Sequence, residues 1–136
     1  MVGAVETYRE ASENADIDRL MTAFASDAEV VSPISARMVF RGEDDLRHLL
    51  AAVYGTVKDL RWTKAIGEGD QRVLYGEFRV GPLRMSDAMV FDLGPDGRIS
   101  TMRPHLRPWL GLTLFALALG PKVARRPGVV RRALRG

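Results

Sequence analysis

Glu77 and Asp87 are the residues through which this sequence could carry out acid/base chemistry. They lie on two alternating segments, 71–80 and 83–93, joined by Gly81-Pro82, a pattern that predicts a β-hairpin. Along the second segment Met85, Asp87, Met89 and Phe91 share one face. With a three-residue turn the paired residue numbers add to an even sum, and Tyr75, Glu77 and Arg79 join that face with Glu77 opposite Asp87. A slightly longer turn makes the two acids diagonal neighbours. Two carboxyls buried this close cannot both ionise readily, so one is held protonated and the pair can give and take a proton. Tyr8 offers a phenolic O–H that can steady a developing negative charge, and His105 is a further base candidate.

A competing reading turns the first strand over. Leu74, Phe78 and Val80 on its opposite face look as core-like as any, and if they point inward, Glu77 and Arg79 decorate the outer face. A slip of one residue inverts every such assignment. The other candidates also have a structural reading: Tyr8 as a core tyrosine, Ser32 as a strand end bonded to backbone, His105 as an ordering residue in an irregular strand. Trp62, Met85, Met89 and Met102 read as core or apolar wall.

Elements that would hold these residues follow from periodicity. Ala4, Val5, Tyr8, Ala11 and Ala15 recur at helical spacing over about 3–14. Asp16 can cap a second helix with Ile17, Leu20, Met21 and Phe24 on its apolar face. A strand over 28–32 is closed by Pro33, and a short strand over 37–40 precedes Gly42. Glu43, Asp44 and Asp45 open a third helix whose buried stripe is Leu46, Leu49, Leu50, Val53 and Tyr54, with Gly55 as its stop and His48 on the surface. From Lys58 the period becomes two, giving strands to Ile66, then 71–80, 83–93 and 98–106. The sum is an α+β domain of three helices followed by an antiparallel meander.

Composition bounds the rest. A chain of 136 residues holds one core, the absence of cysteine removes disulfides and thiolate metal sites, and two histidines do not make a histidine-rich metal centre. No metal or cofactor motif is visible, so cofactor-free function is expected. The formal charge of +3 conceals an asymmetry: all 17 acidic residues lie at or before Asp96, and only basic residues follow. Whole-chain basicity is therefore no argument for nucleic-acid binding, which is not expected. The segment 109–119 is apolar on every side and ends at Gly120-Pro121. At about 17 Å it is too short to span a bilayer. It either closes the body or packs at an interface between copies, or it lies on a membrane surface with the following arginines on anionic headgroups. The N-terminus lacks a signal-peptide pattern, so a cytoplasmic placement is the default.

The order helix, helix, Ala28-Glu-Val-Val-Ser-Pro33, acidic third helix and four strands resembles the NTF2-like superfamily, with its SnoaL-like and ketosteroid-isomerase-like branches nearest. The resemblance covers residues 3 to about 106 and divides the chain into a domain at 1–107 and an apolar helix with a basic extension at 108–136. It implies helices laid on a curved sheet around a cone-shaped apolar pocket, with His105 at the mouth, and homodimers through the sheet. In the ketosteroid isomerases a first-helix tyrosine donates to an oxyanion, and Tyr8 matches it. Their base, an aspartate before a proline, falls at Ser32, and their protonated aspartate falls at Met89. Neither side chain can take the role. In the limonene-epoxide hydrolase branch one acid matches Glu77, but the other falls at Pro104 and the arginine at Tyr75. The expected function is thus a pocket for a small apolar or polycyclic organic molecule lined by Ser32, Trp62, Tyr75, Met85, Met89, Phe91 and Met102. Cofactor-independent isomerase, cyclase or hydratase chemistry would fall to Asp87, Glu77, Tyr8 and His105. A noncatalytic ligand-binding or membrane-peripheral protein is the alternative.

Overall fold

The computed structural model describes residues 3–35 and 37–135. Helix α1 (Ala4–Glu13) buries Val5, Tyr8, Ala11 and Ser12 along one stripe. Helix α2 (Ile17–Met21) starts at Asp16, whose carboxylate accepts the Arg19 N–H at 3.1 Å, the cap its sequence predicts. Strand β1 (Phe24–Val31) begins four residues ahead of the expected Ala28, because Phe24 pairs in parallel with Ile99 before a bulge carries the chain to Glu29. Strand β2 (Val39–Arg41) pairs back onto β1. Helix α3 (Glu43–Thr56) runs through Gly55 and stops where Val57 turns extended.

Strands β3 (Lys58–Ile66), β4 (Gln71–Val80), β5 (Leu83–Leu93), β6 (Ile99–Arg103) and β7 (Leu106–Arg107) complete one curved, unclosed sheet in the order β2-β1-β6-β5-β4-β3, with β7 beside β5. All pairings are antiparallel except β1 with β6. The expected α+β architecture is thus realised. Segment 98–106 is not one strand, however. Val90 pairs with Arg103 and Asp87 with Leu106 in the same register, so β6 and β7 form one line interrupted at Pro104 and His105.

The hairpin between β4 and β5 decides which side chains meet. Gly81 and Pro82 form a two-residue turn in which Gly81 takes φ +56°, and Val80 pairs with Leu83. Gly76 therefore lies opposite Asp87, Leu74 opposite Met89 and Phe78 opposite Met85. Leu74, Phe78 and Val80 are buried, while Glu77 and Arg79 are exposed. The expected Glu77–Asp87 dyad does not form: a two-residue turn makes the paired numbers odd in sum and puts the acids on opposite faces.

Two helices follow. Helix α4 (Trp109–Ala124) passes through Gly120-Pro121 instead of stopping there. Pro121 withholds only the bond to the Leu117 carbonyl, on the exposed side of the helix where water can replace it. The last turn is held from α3: His48 Nε2 donates to the Val123 carbonyl at 3.1 Å, and Lys122 Nζ donates to Thr56 Oγ1 at 2.7 Å. His48 is accordingly half-buried, not a free surface residue. Helix α5 (Pro127–Leu134), absent from the sequence-based expectation, buries Val129 and Ala133 and ties Arg132 to Asp45 through two hydrogen bonds of 2.9 Å. No helix among the described residues is long and apolar enough to cross a membrane.

Candidate functional site

The helices and the concave face of the sheet enclose a cavity of about 310 Å³. Leu49, Val53 and Tyr54 of α3 form one side, and Trp62, Phe78, Met89 and Met102 form the sheet floor. Phe115, Leu119 and Val123 of α4 close it. This wall is almost wholly apolar, so its few polar groups stand out.

Asp87 is the charged one. It is buried at 5% exposure and lies in a row that crosses the sheet from Trp62 through Gly76 to Asp87 and Leu106. Gly76 makes that row possible. A Cβ there would lie 2.6 Å from both the Arg61 carbonyl oxygen and Trp62 Cε3, so only glycine lets the indole settle across the strand. Asp87 Oδ1 accepts the backbone N–H of His105 at 3.2 Å, its single hydrogen bond among the described residues. Oδ2 has no hydrogen-bond partner among the described residues and is not sealed off, and Asp87 lines the cavity. Burial raises the carboxyl pKa to about 7, and the His105 N–H holds it back from rising further.

In an unbroken ladder His105 would exchange both backbone bonds with Ala88, yet here only its carbonyl does, accepting from the Ala88 N–H at 3.1 Å. The Ala88 carbonyl is instead met by His105 Nδ1 at 3.2 Å, which fixes the proton on Nδ1. The imidazole substitutes for its own backbone N–H, and that N–H turns to Asp87.

Beside the carboxyl stand two phenols. The Tyr8 and Tyr54 hydroxyls are hydrogen-bonded to each other, and both are buried. Burial pushes both pKa values up, with the Asp87 charge adding to each, so the phenols stay protonated as donors. The chain of contacts continues outward: Ser12 eases Tyr54, and Ser12 Oγ accepts the Trp62 indole N–H at 2.8 Å while donating to the Arg9 carbonyl. Tyr8 is also packed edge-on against Phe91, with ring centroids 5.1 Å apart, and against Phe24 at 5.9 Å. Its hydroxyl is therefore held in place.

Of the residues singled out from sequence, Tyr8, Ser32, Trp62, Asp87, Met89 and Met102 line the cavity. Ser32 also closes its strand, its Oγ accepting the Ile34 N–H at 3.1 Å. Glu77 and Tyr75 lie instead in a polar groove on the outer face of the sheet, the consequence of the two-residue turn. Met85 is core packed beneath Gly111 of α4, where an added Cβ would come within 2.8 Å of its Cγ. Phe91 is core behind Tyr8. His105 is exposed and outside the cavity, and touches Asp87 only through its backbone. Sequence spacing places Tyr54 only in the apolar stripe of α3. Its signal was available, since a tyrosine on a buried helical face needs a partner for its hydroxyl.

A curved sheet and helices around one apolar cavity, with a lone carboxyl beside paired phenols, define a pocket-type α+β protein. A SnoaL-like domain model matches residues 5–102, and the chain belongs to the SnoaL-like family, within the NTF2-like superfamily expected from its sequence. Similar solved structures extend beyond that span. An uncharacterised protein with a cystatin-like fold from Silicibacter pomeroyi superposes with a TM-score of 0.88 at 20% identity, covering 96% of this chain and 93% of its own. A steroid delta-isomerase from Pseudomonas aeruginosa gives 0.82 at 20% identity, with 92% of each chain covered. A putative polyketide cyclase from Sinorhizobium meliloti gives 0.65 at 20% identity, covering 75% of this chain and 93% of its own. At these identities the likeness is one of fold. No curated protein sequence matches the chain.

Proposed function

We propose that the cavity binds a small, mainly apolar organic molecule with one oxygen seated at Asp87 and the Tyr8–Tyr54 pair, and that Asp87 serves there as the acid/base group. The observation that carries this reading is the free Asp87 Oδ2 in an otherwise apolar chamber. With a pKa of about 7, the carboxyl is divided between acid and carboxylate near neutrality, which suits proton exchange with carbon or oxygen. As the acid it donates to a carbonyl or enol oxygen, and as the carboxylate it takes a proton from the neighbouring carbon. The phenols, held neutral, donate to the negative charge that appears on oxygen. This chemistry needs no second carboxylate and is of the isomerase or cyclase type. A neighbour named as a delta-isomerase and another named as a putative cyclase are consistent with it.

Deuterium uptake at the carbon beside the carbonyl of a bicyclic ketone such as a decalone tests the reading. The wild type should speed exchange, with the Asp87→Asn variant reduced by about two orders of magnitude or more. A ketone that binds but exchanges equally in both proteins would make this a binding protein and not an enzyme. We also propose a homodimer through the outer face of the sheet, on the family resemblance alone, which sedimentation velocity would detect.

A further inference from the structure

The outward face of α4 plays no part in the pocket chemistry. Its inner side walls the cavity through Phe115, Leu119 and Val123. The opposite side, read at helical spacing, carries Leu110, Thr113, Leu117 and Pro121 without a single charge. Leu110 and Leu117 are 58% and 70% exposed, and Trp109 at the start of the helix is 78% exposed. Lys122, the one charged residue of the helix, points away toward Thr56. A surface helix ordinarily turns charge outward, so a helix apolar on both sides has a second apolar neighbour.

Charge identifies that neighbour. Arg125 and Arg126 follow directly at the end of the stripe, Arg131 and Arg135 continue along α5, all four exposed, and no acidic residue follows Asp96. We propose that this face docks α4 in the plane of an anionic phospholipid surface. Leu110 and Leu117 would enter the acyl boundary, Trp109 would sit at headgroup depth, and the arginines would lie on the headgroups. A second copy of the chain fits less well. The helix face measures roughly 24 Å by 10 Å, far below the ~800 Å² per partner of a stable interface. Because the same helix closes the cavity, its docked state places the cavity wall next to the medium in which an apolar ligand dissolves.

Co-sedimentation of the full chain with vesicles tests this directly. Vesicles of phosphatidylcholine and phosphatidylglycerol in equal parts should pellet the protein, phosphatidylcholine alone should not, and added salt should release it. Leu117→Glu should weaken binding by at least about tenfold, and each of Arg125→Gln and Arg126→Gln by about fivefold. All three positions are exposed, so these variants should retain the wild-type circular dichroism and Tm. Failure of the wild type to pellet, or pelleting unchanged in Leu117→Glu, would overturn the proposal. So would a dimer in sedimentation velocity that Leu117→Glu abolishes while vesicle binding is absent.

Discussion

Replacing Asp87 by asparagine isolates the cost of burying one carboxylate. Asparagine keeps the shape, and its Oδ1 can still accept the His105 N–H, but it cannot ionise. In the wild type the folded pKa is raised from 3.8 to about 7, so the folded protein holds a proton that the unfolded chain releases. Between those values the folded state binds more protons than the unfolded state, and stability must fall as pH rises. Above about 7 both states are ionised and the loss is complete. At about 1.36 kcal/mol per pH unit, the interval from 3.8 to about 7 amounts to about 4 kcal/mol. For a chain of 136 residues that corresponds to roughly 10–15 °C in Tm. Urea unfolding of both proteins across the range from about pH 4 to about pH 8 gives the difference directly, because every other titrating group cancels. Asp87→Asn should match the wild type at the acid end and exceed it by a few kcal/mol at the alkaline end. A difference that stays flat and below about 1 kcal/mol would refute a desolvated Asp87 and the chemistry built on it.

Three further outcomes follow from the same geometry. Tyr8→Phe removes one member of the buried phenol pair and should cost about 1 kcal/mol in urea unfolding, while weakening binding of a naphthol probe about tenfold. Gly76→Ala should destabilise by about 1–3 kcal/mol and shift the emission of Trp62, since the new Cβ meets backbone as well as indole at 2.6 Å. Asp45, its pKa lowered chiefly by the hydrogen bonds from Arg132, should tether α5 at neutral pH and release it only as pH falls below about 3.8; amide exchange in α5 measured on both sides of that value reads the change.

That Met85, Asp87 and Met89 share one face was legible from alternation alone, because a strand's period does not depend on its neighbours. Their partners on β4 were not. Parity turned on whether Gly81-Pro82 made a two- or a three-residue turn, a choice of one residue that local sequence leaves open and that removed Glu77 from the site. The reach of α4 past Pro121 and the existence of α5 depend on contacts with His48, Thr56 and Asp45, all more than sixty residues away in sequence. His105 shows the same limit. Its residue type suggested a base, yet it meets Asp87 through its backbone N–H while its ring takes the Ala88 carbonyl. Ser32 stands where the family resemblance calls for an aspartate at the strand end, and the acid that lines the cavity sits on β5.

The central claim is that a ligand oxygen meets Asp87 Oδ2 inside the apolar cavity. The pH profile of binding of a fluorescent naphthyl ketone, whose oxygen can only accept, followed by the probe's own fluorescence in the wild type and Asp87→Asn, tests it most directly. The protonated acid donates to the probe and the carboxylate repels its oxygen. Wild-type affinity should therefore decline as pH rises through about 7, while Asp87→Asn should bind with no inflection there. Identical profiles for the two proteins, or binding that ignores Asp87 altogether, would contradict it.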